Sequence, residues 1–253
     1  MPRYPIPDAL RGFSLLSMAG FHLTWDLIWL FGVRFPDGSD TLLYLWQQSI
    51  CWSFISLSGF SLPFGRRPFR RGGELFCCGA AVAAVSFLLS SLELTDGPLL
   101  FGILTFLGSA AILCAGLRPL LRRISAAAGF WASLLLFAVF RGVNQGVFGF
   151  PPFFPAAPVP ENWYRNLFTA FLGFPPENFY SLDYFSLFPW IFLYTSGLFF
   201  HRLLREQGRM PILARPAPRL LTFLGRRSLA FYLLHQPVIF GILSCIFPFS
   251  ASK

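Results

Sequence analysis

His22 and Asp26 are four residues apart, a spacing that makes two side chains neighbours on one face of a helix. A carboxylate beside an imidazole fixes its tautomer and raises its basicity, as a general base requires. Asp8 and Arg11 precede them in the same apolar run. At about 100° per residue, Asp8, Arg11, His22 and Asp26 fall within an arc of roughly 60°. The stretch DALRGFSLLSMAGFHLTWDLIWL, Asp8 to Leu30, is long and apolar enough to cross a bilayer. Ionisable groups at that depth are costly; by default they face the protein interior and mark a site. His22 as a packing histidine is the bland alternative, and four aligned ionisable residues weigh against it. Arg11 carries two readings: a guanidinium that clamps phosphate at the inner membrane edge, or a structural side chain that snorkels to the interface or pairs with Asp8 at i,i+3.

A second constellation lies in LGRRSLAFYLLHQPVIFGIL. Ser228, Tyr232 and His235 share one face at i, i+4 and i+7. Pro237 has no N–H to give the Leu233 carbonyl, so the helix is expected to bend beside His235. By residue count His235 sits at a depth comparable with His22. A third group, Arg141, Asn144 and Gln145 with Asp183 and Tyr184, gathers at the opposite membrane edge. These residues suit recognition of a hydroxyl-rich or amino-sugar acceptor, or are ordinary interfacial residues. The five cysteines lie inside apolar stretches, with no metal-ligand spacing and no disulfide framework, so no metal site is expected.

The elements that must position these residues are membrane helices. Hydrophobic residues make up 55% of the 253 and charged residues 12%, about half the share usual in soluble domains. The net charge of +9 does not point to nucleic acid, because the basic residues sit in short loops between apolar runs. Seven spans can be drawn, at about 8–31, 42–64, 73–92, 98–117, 124–142, 184–203 and 222–247. The first is too long and too interrupted by charge for a cleaved signal peptide, and is expected to remain as a helix. Of 20 basic residues, 16 fall on one side of these spans: Arg3, Arg11, Arg66, Arg67, Arg70, Arg71, Arg118, Arg122, Arg123, Arg202, Arg205, Arg209, Arg215, Arg219, Arg226 and Arg227. Only Arg34, Arg141, Arg165 and Lys253 fall on the other. Positive residues collect in the cytoplasm, so the amino terminus is expected inside and the carboxyl terminus outside.

The reading is an all-α, polytopic membrane helix bundle, one domain over 1–253, in the cytoplasmic membrane. Its long extracytoplasmic segment, 142–183, is rich in proline and aromatics and is expected to act as a lid or acceptor platform. No internal repeat is visible, which weakens a transporter built from inverted repeats.

Five ordered blocks, DALRGFSLLSMAGFHLTWDL, SFISLSGFSL, LFGILTFLGSAAIL, DYFSLFPWIFLYTSGLFF and LGRRSLAFYLLHQPVIFGIL, span nearly the whole chain. They resemble the small bacterial membrane proteins grouped with the catalytic domain of heparan-α-glucosaminide N-acetyltransferase. The Arg11-to-His22 spacing, with ten residues between, also resembles the acyltransferase-3 membrane O-acyltransferases. The resemblance implies transfer of an acyl group, commonly acetyl from cytoplasmic acetyl-CoA, to a sugar facing the other side. It departs in lacking the lysosomal enzyme's extra spans, its luminal domain and a histidine in the first loop, FGVRFPDGSDTL. The catalytic role therefore goes to His22, oriented by Asp26. Arg11, Tyr232 and His235 are assigned to the acyl-CoA, and Arg141, Asn144 and Asp183 to a glycan or lipid-linked sugar acceptor. Acetyl-CoA is a co-substrate, the bilayer is a partner, and homodimerisation is left open. The competing class is a transporter or channel whose Arg11/His22/Asp26 stripe relays ions or protons.

Overall fold

A computed structural model describes residues 4–36, 39–93, 95, 97–151 and 153–247. Arg3 and Lys253, both used in the charge split, lie outside these residues. Among the described residues the α-helices in chain order are α1 (Pro5–Trp29), α2 (Ser39–Ser61), α3 (Pro68–Ser91), α4 (Ile103–Gly116), α5 (Arg118–Leu121), α6 (Ala126–Phe140), α7 (Leu167–Leu172), α8 (Trp190–Glu206), α9 (Arg219–Arg226) and α10 (Ser228–Ile246). One antiparallel hairpin, β1 (Val147–Phe150) with β2 (Phe154–Pro158), interrupts them. The chain forms two compact units, Met1–Leu57 with Gly208–Lys253, and Ser58–Gln207.

In the first unit α1 begins with proline in its first turn, where the missing N–H costs nothing. Asp8 follows at the positive end of the helix dipole. The buried residues Arg11, Ser14, Leu15, Met18 and Asp26 recur at helical spacing, so the polar stripe faces protein. Two glycines set the crossing with α9. A Cβ at Gly12 would lie 2.0 Å from the Leu221 carbonyl oxygen, and one at Gly225 would lie 1.8 Å from that of Asp8. Small residues let membrane helices approach this closely. Trp46 of α2 donates its indole N–H to the Ser17 hydroxyl of α1 (2.8 Å). On the outward side of α9, Leu220 and Phe223 are exposed and the Arg227 guanidinium lies 4.8 Å over the Phe223 ring.

The second unit repeats the small-residue device. Gly72 and Gly108 put α3 and α4 backbone to backbone, and Gly79 meets Thr105. Gly129 of α6 lies under the Phe199 ring of α8, and Thr195 donates to Ser133 (3.1 Å). Arg202 fastens the Leu121 and Ile124 carbonyls after α5, at 2.7 and 3.0 Å, so that basic side chain satisfies helix-end acceptors.

Three helical stretches are long and apolar enough to cross a membrane: Pro68–Ser91, Ser228–Ile246, and Ala126–Gln145, where α6 continues into a 3-10 turn. Each of the seven predicted spans contains a helix, but the bounds differ. Helix α4 has 14 residues, about 21 Å, where the sequence predicts a span over 98–117. Its start is delayed because a turn at 98–102 is tied to 181–185, with Leu182 and Phe185 donating to the Pro98 and Phe101 carbonyls (3.1 and 2.9 Å). Phe101 there takes a left-handed φ of 54°. Helix α8 begins at Trp190, after Pro189, instead of at 184. The seventh span is two helices, parted at Arg227.

Segment 142–183 is more ordered than its proline content predicts. Besides the hairpin it holds α7, whose first turn is closed by a capping box between Asn166 and Thr169. Val143, Val159 and Phe174 form a small core of its own. Gly149, at φ 105°, supplies the bulge that turns β1.

Candidate active site

The first unit brings the two histidine-bearing helices together. His22 of α1 and His235 of α10 have ring centroids 5.0 Å apart, tilted by 53°. Phe21 meets His22 edge-on, and Phe231 lies parallel to the His235 ring. His235 makes a 2.6 Å hydrogen bond from Nδ1 to the Tyr232 carbonyl. A carbonyl only accepts, so Nδ1 carries the proton and Nε2 presents its lone pair. That Nε2 is buried and has no hydrogen-bond partner.

Asp26 is 1% exposed, and both its carboxylate oxygens accept from the Gln236 amide nitrogen at 3.0 Å. His22 and Asp26 share a helix face as the spacing predicts. Among the described residues, however, no hydrogen bond joins them, and the carboxylate's side-chain partner comes from α10. Gln236 thus joins this polar cluster, a partner that the sequence reading does not include. Its one signal was its place between His235 and Pro237. The Oε1 of Gln236 is buried without a partner, as is the hydroxyl of Ser244 about two turns further along.

Arg11 is 8% exposed and lies 3.7 Å from Asp8. Asp8 also pairs with Arg226 of α9 at 3.3 Å. The pairing reading of Arg11 is therefore present in the geometry. Arg11 and His22 are separated by about 16 Å along α1.

The three residues assigned to the acceptor lie in the second unit, and all meet segment 183–190. The Arg141 guanidinium lies 5.0 Å over the Trp190 ring. The Asn144 amide donates to the Gly173 carbonyl (2.8 Å) and to the Ser186 hydroxyl (2.9 Å). Asp183 accepts from the Ile103 backbone N–H at the start of α4, and Gly102 gives it room, since a Cβ there would be 3.1 Å from Oδ2. Burial raises the Asp183 carboxyl to about 6, against the opposing pull of that N–H. Tyr184, beside it, is likewise pushed up by burial.

Chemically, the first unit offers two imidazoles in contact, one with a buried, unpaired lone pair of fixed tautomer, next to a carboxylate clamped by an amide. Such a set can take a proton from a hydroxyl or amine. Comparison with protein families finds that the model described as heparan-alpha-glucosaminide N-acetyltransferase, catalytic, matches residues 3–237. No curated protein and no solved structure matches the chain.

Proposed function

Because the chain belongs to the family of heparan-alpha-glucosaminide N-acetyltransferase catalytic domains, we propose that it moves an acetyl group from cytoplasmic acetyl-CoA to an amine or hydroxyl of a sugar on the opposite side of the membrane. The observation that carries this reading is the His22–His235 contact, with a buried, unpaired Nε2 on His235. His22 takes the proton from the acceptor as its nitrogen or oxygen attacks the thioester carbonyl carbon. The new bond forms, the carbon–sulfur bond breaks, and the departing thiolate takes up a proton to leave as CoA thiol. His235 packs against the ring that takes this proton. Asp26 adds negative charge one turn above His22.

The donor enters from the arginine-rich side, its phosphates near Arg11, and Tyr232 and His235 border the thioester. Arg141, Asn144 and Asp183 serve the acceptor through the ordered segment they hold together. A single-domain bundle with its amino terminus inside suits this traffic.

The test is acetyl transfer by purified protein in liposomes, with acetyl-CoA and glucosamine as probes. His22→Ala and His235→Ala are each expected to lower kcat by a hundredfold or more, the usual worth of a positioned base, with binding of acetyl-CoA retained. Transfer that survives both changes overturns the reading. Proton flux without any acetyl-CoA turnover favours the relay alternative.

A further inference from the structure

Two buried acceptors on consecutive residues, His235 Nε2 and Gln236 Oε1, have no hydrogen-bond partner. Native proteins rarely leave such atoms bare, because each forfeits its hydration without recompense. Both residues stand against the 22–26 ridge of α1: His235 on His22, Gln236 on Asp26. Gln236 is not free to turn its amide. Its Nε2 donates to both oxygens of a carboxylate that is 1% exposed, so a flip would set oxygen against oxygen. Asp26 thereby determines which end of Gln236 is left over, and the end left over can only accept. His235 is constrained alike, since the Tyr232 carbonyl holds its proton on Nδ1.

We infer that Gln236 is a substrate-binding residue: its Oε1, oriented by Asp26, and the His235 Nε2 form a two-acceptor cradle for a polar group of the sugar acceptor that brings two N–H or O–H donors. This rests on the function proposed above and adds to it a residue, a direction and a requirement on the ligand. In this arrangement Asp26 acts through Gln236 as well as through its charge, as a positioning residue. A substrate with one donor leaves one of the two acceptors unpaired, and a methylated analogue leaves both.

The inference is tested with Gln236→Met, which keeps length and removes both amide functions, using acetyl-CoA and glucosamine as probes. The KM for glucosamine is expected to rise about tenfold, the worth of one buried hydrogen bond lost with its partner left bare, while the KM for acetyl-CoA stays within twofold. A merely structural role predicts a lower thermal midpoint with an unchanged glucosamine KM. That result, or an equal rise in both KM values, overturns the inference and leaves the proposed function standing, provided His22→Ala and His235→Ala remain inactive. If either histidine variant turns over normally, or the wild type transfers nothing, the proposed function fails and this inference with it.

Discussion

Gly225 lies so close to Asp8 that a Cβ on it would sit 1.8 Å from the Asp8 carbonyl oxygen. The obstacle is backbone, so no rotamer change relieves it. Gly225→Ala is therefore expected to force α9 away from α1 and to destabilise the first unit by about 2–3 kcal/mol, the upper part of the overpacking range. Thermal unfolding of purified protein checks this, with Gly241→Ala as control, since a Cβ at Gly241 meets nothing within 4 Å.

Arg11, buried beside Asp8, distinguishes a structural from a donor-binding guanidinium. Arg11→Ala is expected to raise the KM for acetyl-CoA about tenfold, as loss of one charge-assisted contact would, and to leave the acceptor KM alone. An unchanged donor KM with a lowered midpoint would assign Arg11 to Asp8 and α9 only.

Asp183 gives stability a pH dependence of definite sign. Its carboxyl stands at about 6 in the folded protein against 3.8 as the reference value, because burial outweighs the Ile103 amide. The folded state thus binds the extra proton between those values, and stability falls as pH rises from about 4 through about 6. Asp183→Asn keeps an acceptor for the Ile103 N–H and is expected to flatten this slope and raise the midpoint at pH 7. Midpoints measured from pH 4 to pH 8 check it; a slope unchanged in the variant assigns the proton elsewhere.

Asn144 joins two stretches of the loop network by donating to the Gly173 carbonyl and the Ser186 hydroxyl. Asn144→Ala leaves both without that donor and is expected to cost about 1–3 kcal/mol. Limited proteolysis within 142–183 should accelerate with it. If the segment is an acceptor platform, the glucosamine KM rises as well.

How far these relationships could be read from the chain depends on their range. The polar stripe of α1 was visible because helical periodicity is local, and the 22–26 pair needs only a count of four. Its partner across the helix pair was not, because one glutamine before a proline has no periodicity and Asp26 finds it 210 residues away. The start of α4 was misjudged for the same reason: Asp183 reaches its first turn from 80 residues downstream, and Phe101 takes a left-handed turn that an apolar run does not announce. Proline density in 142–183 correctly discouraged long helix. It concealed a hairpin whose order comes from Gly149 and a three-residue core instead of from strand-like alternation. Some of the packing glycines, by contrast, sit inside the blocks that carry the family resemblance, though Gly72, Gly79 and Gly129 do not. Gly12, Gly59 and Gly108 each mark a backbone approach, so part of that resemblance is a record of helix packing.

Helix α10 holds two of the three side chains nearest the proposed chemistry, yet very little of its apolar window is covered by the rest of the protein. With α10 in a bilayer, as proposed, acyl chains form the wall on its uncovered side. The local dielectric, and with it the strength of every hydrogen bond in that cradle, is in part a property of the host lipid. Extraction into a micelle exchanges that wall for another.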